Sequence, residues 1–304
     1  MLSNYLISSC IMATPILLTA MGDLYSEKSG VLNMGLEAGV LLGAYASYHF
    51  SYFSGNVYLG LLMAILIGLA AGLMQALLTV TLRCNQVVYG VGANIFALGI
   101  TGTLYRVFFG TDNAYAVCAG LPKLSIPLFN KLPVVGELFS GLTLLFYIAI
   151  VFVAVSSLIF RYTTTGLKIR AAGENPHAAD SLGVNVLRIR YGCVMLSDVF
   201  AALGGAALTV GDLCFFQDGM SAGRGYLALA AVIFGRFKPS GVLIAALLFG
   251  MVDALQMRLQ LMSWGIPYQV FVAMPYVVTL VALYVMGAST APLYNAKPFV
   301  RGER

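Results

Sequence analysis

The sequence predicts an all-α polytopic membrane protein, a bundle of about nine transmembrane helices forming a single domain over residues 1–304. Hydrophobic residues make up 60% of the chain and charged residues only 10%, whereas roughly a quarter of the residues of a soluble protein are charged. Apolar runs long enough to cross a bilayer recur along most of the length. The net charge of +5 is small and scattered, which argues against a nucleic-acid surface and leaves the cations as markers of topology.

Nine apolar segments are candidate spans. Their approximate bounds are 5–21, 34–52, 57–82, 87–109, 142–160, 189–210, 220–236, 240–261 and 267–286. Lys and Arg concentrate in the 161–190 loop, between the seventh and eighth segments, and after the ninth. An odd number of spans puts these three regions on one side, which the positive-inside rule makes cytoplasmic. The C-terminus is then cytoplasmic, the N-terminus lies outside, and residues 110–141 form an external loop.

The two ends of the chain resemble each other weakly. The sequence TAMGDL at 19–24 resembles TVGDL at 209–213, and the interval from Gly60 to Gln75 equals that from Gly241 to Gln256. The copies are five spans apart, so they would have opposite orientations. Such inverted repeats, here about 1–110 and 189–290, are typical of transporters and place a site near the bilayer midplane. Chance similarity between Leu- and Ala-rich helices is the alternative.

Five polar residues lie within the predicted spans or at the start of one: Asn33, Glu37, Asn94, Asp198 and Asp253. A carboxylate at bilayer depth costs about 2.5–3.5 kcal/mol on insertion scales, so each must face protein or water. They either line a hydrated path for a polar solute or hydrogen-bond one helix to another. We expect some of the five to line the path, with Asn33 and Asn94 the stronger candidates.

The longest polar interval of the chain, residues 166–185, contains the pattern of a short capped helix. Asn175 suits the N-cap and Pro176 the first helical position, while Gly183 supplies the left-handed residue that ends a helix. The predicted helix, about 176–182, lies in the cytoplasmic loop 161–190. It is either a docking element for another protein or an ordinary surface helix between two spans.

The sequence lacks the familiar motifs of catalysis, metal binding and nucleotide binding. It contains no Gly-x-x-x-x-Gly-Lys-Ser/Thr phosphate loop and no HExxH pair, and its two histidines, His49 and His177, are far apart. We therefore predict a protein that is not an enzyme, has no catalytic residues, and binds neither a metal nor a cofactor of its own. Any ATP that drives it must be hydrolysed elsewhere.

Four stretches resemble one family. They are GVLNMGLE at 30–37, GENPHAAD at 173–180, AGRGYLALAAVIFGR at 222–236, and DALQ at 253–256 with PYQ at 267–269. Together they resemble ABC-importer permeases of the ribose/branched-chain amino-acid group, and most closely the branch assigned to nucleoside uptake (YufQ/NupQ-like). The likeness extends from about residue 10 to 286. Ala38 is one departure, since the family usually has Gly there.

This resemblance implies a permease subunit of the bacterial cell membrane, surrounded by lipid, that forms half of a nucleoside path. Its implied partners are a second homologous permease, an ABC ATPase that carries the ATP and Mg²⁺, and an extracytoplasmic BMP-type lipoprotein. The short helix would be the coupling helix, with ATPase contacts at Glu174, Asn175, Pro176, His177, Asp180 and Ser181. A permease for a simple sugar or another small polar solute, and a stand-alone secondary transporter or channel, are the alternatives.

Overall fold

A computed structural model describes residues 2–110, 116–124, 141–260, 268–286 and 291–301. The helices are α1 (Leu2–Lys28), α2 (Leu36–Ser54), α3 (Val57–Ala76), α4 (Gln86–Phe109), α5 (Leu144–Tyr162), α6 (Thr164–Glu174), α7 (Pro176–Ser181), α8 (Val186–Leu208), α9 (Arg224–Phe234), α10 (Pro239–Gln260) and α11 (Tyr268–Met286). A π-helical turn extends α3 over Leu77–Thr81 and another extends α8 over Thr209–Leu213. The described residues form no β-strand beyond one isolated bridge, between Lys123 and Thr143, so the predicted all-α class is confirmed.

Six helices within the described ranges are long and apolar enough to cross a membrane: α1, α3, α4, α5, α8 and α10. Three of the nine predicted spans fall on other helices. Helix α9 has 11 residues, a length of about 16 Å at 1.5 Å per residue, which is too short for a bilayer core of about 30 Å. Helix α2 has 19 residues but carries Glu37, His49 and several Ser and Tyr. In α11 the apolar stretch found among the described residues is Gln269–Val281, which is shorter than a span. The count of nine remains a prediction.

The first helix is longer than the sequence predicts. Helix α1 continues from the expected end near residue 21 to Lys28. Gly22-Asp23-Leu24 therefore lies inside a helix, whereas its counterpart Gly211-Asp212-Leu213 forms the π-helical turn that ends α8. Leu24 and Tyr25 are buried in the main apolar core, which favours continuation of the helix past the polar residues.

Helix α8 is the centre of the bundle and packs against α1, α2 and α3. Small residues allow this. At Gly205 an added Cβ would lie 1.9 Å from the carbonyl oxygen of Val40, and at Gly43 it would lie 2.2 Å from that of Ala202. Six glycines of these helices meet a neighbouring helix in this way, with an added Cβ under 3.0 Å from it: Gly39, Gly43, Gly68, Gly72, Gly204 and Gly205. A larger side chain at any of them would push the helices apart.

The connection between α4 and α5 was predicted to be external, and the structure describes it only at 116–124 and 141–143. Its described part is bound to the bundle. Tyr48 donates a hydrogen bond to the carbonyl oxygen of Ala116 (2.8 Å), and the backbone N–H of Cys118 donates to Cys214 (2.8 Å). This connection lies at the end of the bundle where α8 ends.

Candidate functional site

A cavity of about 540 Å³ lies between α2, α3 and α4, and a residue of α8 closes its inner end. Its walls are mostly apolar, with Leu42, Ile67 and Phe96 among the lining side chains. The lining side chains with polar groups are those of Gln75, Tyr89 and Asp198, and Gly35 at the start of α2 lies among them. Volumes of about 300–1,000 Å³ with apolar walls and few polar groups are typical of small-molecule sites. This cavity is the candidate functional site.

Asn33 organises the polar end of the cavity. Its side-chain amide donates to Ser197 Oγ (3.0 Å) and to Asp198 Oδ1 (2.9 Å), and its Oδ1 accepts from the backbone N–H of Gly35 (3.0 Å). The loop before α2 is thereby tied to α8. Asp198 Oδ2 and Gln75 Nε2 are buried and lack a hydrogen-bond partner among the described residues. An acceptor and a donor are thus left unpaired beside the cavity.

Asn94, on α4, binds the opposite side of the same loop. Its Oδ1 accepts from the N–H of Ala38 (2.9 Å), and its amide donates to the carbonyl oxygen of Met34 (3.0 Å) and to the Tyr226 hydroxyl (2.7 Å). A neighbouring bond joins the N–H of Leu32 to Gln86 Oε1 (2.8 Å). Helix α4, one wall of the cavity, is therefore attached to the entrance of α2 through polar side chains.

Glu37 caps another helix. Its two carboxylate oxygens accept hydrogen bonds from the N–H groups of Gly223 and Gly225, each at 2.8 Å. Both donors lie at the N-terminus of α9, which has no capping side chain of its own. A carboxylate at this position satisfies otherwise unpaired N–H groups and interacts favourably with the helix dipole. Glu37 thus makes the helix-to-helix contact that was the alternative to lining a path.

Asp253 lies apart from the other four predicted path residues. It lines a second cavity of about 240 Å³ together with Arg224, Gln256 and Tyr276. The structure therefore brings Asn33, Asn94 and Asp198 together around the start of α2, places Glu37 in the first turn of that helix, and leaves Asp253 elsewhere.

Sequence reasoning did not select Gln75 or Arg190. Gln75 lies inside an apolar run, as Asn94 does, and a polar side chain there must likewise face protein or water. In the sequence, Gln75 served only to mark the repeat. Arg190 was counted among the loop cations, yet it is 1% exposed. It donates from Nε to the carbonyl oxygen of Ser29 (3.1 Å) and from Nη1 to that of Lys297 (3.1 Å). Both carbonyl partners are distant in sequence, and no local signal marks them.

The predicted capped helix is present as α7. Asn175 Oδ1 accepts from the N–H of Ala178 (3.0 Å), Pro176 is the first helical residue, and Gly183 has a φ of +82°. Ser181 donates to the carbonyl oxygen of His177 (2.9 Å) within the helix. The local prediction of a capped helix is confirmed, and its role in coupling to an ATPase remains a prediction.

A close contact between the end of α6 and the end of α1, called the junction from here on, links the α7 region to the cavity. Gly173, at the end of α6, packs so closely on the end of α1 that an added Cβ would lie 2.2 Å from the Lys28 carbonyl oxygen. Gly30 faces the same point, with Gly173 Cα 3.2 Å from an added Cβ. Residues 29–35 lead from this junction directly to Asn33 and the polar end of the cavity.

Six apolar helices of spanning length within the described residues indicate a multi-pass integral membrane protein. Residues 5–286 match the family described as branched-chain amino acid transport system / permease component. The chain belongs to this family and is therefore an ABC transport permease. The resemblance noted in the sequence is confirmed at this level.

Individual relatives cover nearly the whole chain. It is 35% identical to the guanosine ABC transporter permease NupQ of Bacillus subtilis (strain 168), over 98% of this chain and 96% of the relative. It is 31% identical to the nucleoside ABC transporter permease NupC of Lactococcus lactis subsp. cremoris (strain MG1363), over 96% and 95%. A permease of Haloferax volcanii assigned to glucose, TsgC13, is 37% identical over 83% and 76%.

Two further similarities concern partners and fold. The chain is 24% identical to NupP, a second guanosine permease of Bacillus subtilis, over 90% of this chain and 78% of the relative. Among solved structures, a chain of a metal-chelate type ABC transporter in an inward-facing conformation matches with a TM-score of 0.53 and 14% identity, covering 92% of this chain and 85% of that one. The latter similarity concerns the fold alone.

Proposed function

We propose that this chain is one of two permease subunits of an ATP-driven importer and that a nucleoside crosses the membrane along the cavity beside α2. The cavity carries the proposal: a small-molecule volume with apolar walls for a base and unpaired polar groups, at Gln75 and Asp198, for hydroxyls. The guanosine and nucleoside assignments of NupQ and NupC supply the substrate class. The path residues Asn33, Glu37, Asn94, Asp198 and Asp253 remain a prediction. Asp198 lines this cavity and Asn33 is hydrogen-bonded to Asp198, whereas Glu37 caps α9 and Asp253 lines the second cavity.

The proposed assembly contains a second homologous permease, an ABC ATPase that binds ATP and Mg²⁺, and an extracytoplasmic lipoprotein of the BMP type. NupQ and NupP are both named as guanosine permeases of one organism, which supports two permeases per importer. Nucleotide-driven closure of the ATPase would be received at α7, through the surface around Glu174–Ser181. The same proposal has the C-terminus and α7 in the cytoplasm and the N-terminus outside.

An inverted repeat with about nine spans is the proposed architecture. Helix contacts support it: α8 packs on α2 and α3, and its counterpart α1 packs on α9 and α10. Gly68 of α3 meets Val199 of α8, and Gly250 of α10 meets Ser9 of α1. When the threonines of the two segments TAMGDL and TVGDL are aligned, Ser9 pairs with Val199. When Gly60 is aligned with Gly241, Gly68 falls within one residue of Gly250.

Uptake by the reconstituted complex tests the function. Vesicles containing this chain, the second permease and the ATPase would be loaded with ATP, supplied with the lipoprotein, and assayed for labelled guanosine. We expect uptake that requires ATP and all four proteins. Uptake by vesicles that contain only this chain would indicate the stand-alone transporter instead. Complete inhibition by excess glucose, with no inhibition by other nucleosides, would favour the sugar permease, which the identity to TsgC13 makes the second candidate.

A further inference from the structure

Residues 291–301, which follow α11, lie across the α7 region and are called the C-terminal clamp here. Two backbone contacts fix its start. The N–H of Tyr294 donates to the carbonyl oxygen of Gly173 (2.9 Å), and the N–H of Leu293 approaches Glu174 Oε2 at 3.5 Å. The clamp is thereby bonded to the end of α6, the helix that precedes α7.

Side chains of the clamp then cover one side of α7. The ring of His177 lies 5.6 Å from that of Tyr294 and 5.2 Å from that of Phe299, measured between centroids. Phe299 is 4% exposed and packs in an apolar cluster with Ala172, Ala179 and Val186. One aromatic side chain of the clamp therefore completes a small core shared by α6, α7 and the start of α8.

An ion pair joins the far end of the clamp to α7. Arg301 Nε lies 3.1 Å from Asp180 Oδ2. The arginine side chain is 75% exposed and that of the aspartate 21%, so the pair adds little stability on its own. Its value is in fixing the direction of α7 relative to the clamp.

The clamp is also bonded to the spanning helices. Asn295 donates to the carboxylate of Glu27, near the end of α1. The buried guanidinium of Arg190, near the start of α8, donates to the carbonyl oxygens of Ser29 and Lys297. The clamp thus contacts α7 on one side and the ends of α1 and α8 on the other.

We propose that the C-terminal clamp holds α7 rigidly against α1 and α8, so that force applied to α7 moves these spanning helices instead of bending the loop around α7. A helix of six residues is too short to be stable without tertiary contacts, and many of the side-chain contacts of α7 are to the clamp. The proposal rests on the coupling role of α7 given under the proposed function.

This arrangement changes which groups of α7 are available to an ATPase. The side chains of Glu174, His177 and Asp180 contact the clamp, whereas the sequence predicted all three as ATPase contacts. Leu182, just after α7, is 84% exposed, and Ala178 and Ser181 are also exposed. In the clamped state the proposed surface for the ATPase is therefore this exposed side of α7 together with Glu174, which is also exposed, and His177 and Asp180 act as positioning residues.

Phe299→Ala is the variant that tests the clamp, and Leu293→Ala is the matched control, because Leu293 lies in the same segment but is 73% exposed. Amide hydrogen exchange at residues 176–183 would be measured on the assembled complex in lipid nanodiscs. Guanosine-stimulated ATP hydrolysis and guanosine transported per ATP would be measured in vesicles. For Phe299→Ala we expect exchange at these amides to rise by about tenfold or more, since removing a buried aromatic side chain weakens local packing, and transport per ATP to fall severalfold. The control should match the unmodified protein in all three measurements.

The ion pair provides a second variant that leaves the apolar cluster intact. Asp180→Arg and Arg301→Asp should each accelerate amide hydrogen exchange at 176–183. The double variant, which carries both substitutions and so re-creates the ion pair, should return the exchange rate to that of the unmodified protein. Unchanged exchange in Phe299→Ala would overturn the clamp, and so would faster exchange with unchanged transport per ATP. If the unmodified complex shows ATP-dependent guanosine uptake but none of these variants affects it, the clamp fails while the proposed function stands. Absence of uptake by the unmodified complex would mark failure of the proposed function itself.

Discussion

Glu37 and Gly225 are 188 residues apart in sequence, yet the carboxylate of the first accepts the backbone N–H of the second at 2.8 Å. The other oxygen of Glu37 accepts from Gly223. One side chain of α2 thereby caps the N-terminus of α9. The two proposed halves of the chain are held together at this point by a single carboxylate.

Glu37→Gln should destabilise the protein, because an amide offers one acceptor oxygen where the carboxylate offers two. One N–H of Gly223 or Gly225 would face an NH₂ group, at a cost of about 1–3 kcal/mol for an unsatisfied buried donor. We expect a melting temperature several degrees lower in detergent, measured by fluorescence-detected size exclusion after heating. The control is Asp218→Asn, which disrupts an exposed ion pair with Arg106 and should leave the melting temperature unchanged. Equal melting temperatures for all three proteins would contradict the capping role.

Asn33→Asp should also lower stability, for an electrostatic reason. The amide of Asn33 donates to Asp198 Oδ1 at 2.9 Å, and Asp198 is 2% exposed. A second carboxylate there would repel the first and remove the amide donor from which Asp198 Oδ1 accepts. The reciprocal double variant, Asn33→Asp with Asp198→Asn, re-creates an amide–carboxylate pair and should recover at least half of the lost melting temperature. A double variant no more stable than Asn33→Asp would argue against this pairing.

Gly92→Leu should block the cavity at little cost in folding. An added Cβ at Gly92 meets no atom within 4 Å, and the residue lines the cavity. Gly99 lies on the same helix, is equally open, and does not line the cavity, so Gly99→Leu is the matched control. We expect guanosine uptake to fall by about tenfold or more in Gly92→Leu and to be kept in Gly99→Leu, with equal protein in the membrane. Normal uptake by Gly92→Leu would mean that the solute takes another route.

Gly173→Ala should disrupt the junction between α6 and α1, since the new Cβ would lie 2.2 Å from the Lys28 carbonyl oxygen. The backbone must shift, and overpacking of this kind costs about 1–3 kcal/mol. Gly192→Ala is the control, because Gly192 lies in α8 with open space around it and alanine is favoured over glycine in a helix. Thermal melting should show a decrease for Gly173→Ala and no change or an increase for Gly192→Ala; the reverse order would be inconsistent with the packing described.

Asn175→Ala combined with Pro176→Gly should loosen α7 without affecting insertion into the membrane. The cap bond to the N–H of Ala178 is lost, at about 1 kcal/mol, and glycine at the first position adds backbone freedom. We expect less transport-coupled ATP hydrolysis in vesicles at an unchanged level of membrane-inserted protein. Fully retained coupling would count against a role for α7 in transmission.

Features set by local sequence were predictable. Asn175, Pro176 and Gly183 are neighbours whose conformational preferences act within one turn, and they produced the expected helix. The all-α class followed from composition. The ends of α1 were not predictable to the same degree, because burial of Leu24 and Tyr25 against other helices extends the helix past Asp23 and Glu27. Tertiary packing overrides local polarity there.

Contacts between distant segments were beyond the sequence. The pattern marked Asn33 and Asp198 as polar residues that must face protein or water, but it did not show that they bond to each other. Glu37 and Asp253 carried the same signal, yet one caps α9 and the other lines a separate cavity. The pairing of Asp180 with Arg301 spans 121 residues and has no local signature, so helix α7 could be predicted while the segment that covers it could not.

The close approach of Gly173 to the end of α1 sets how far a signal must travel inside this protein. From that glycine contact the chain needs only the short connection 29–35 to reach Asn33, whose amide binds Asp198 beside the cavity. A displacement received near α7 would therefore arrive at the cavity within one loop, without a long relay through the bundle. Any side chain larger than hydrogen at position 173 would push the end of α6 away from the end of α1.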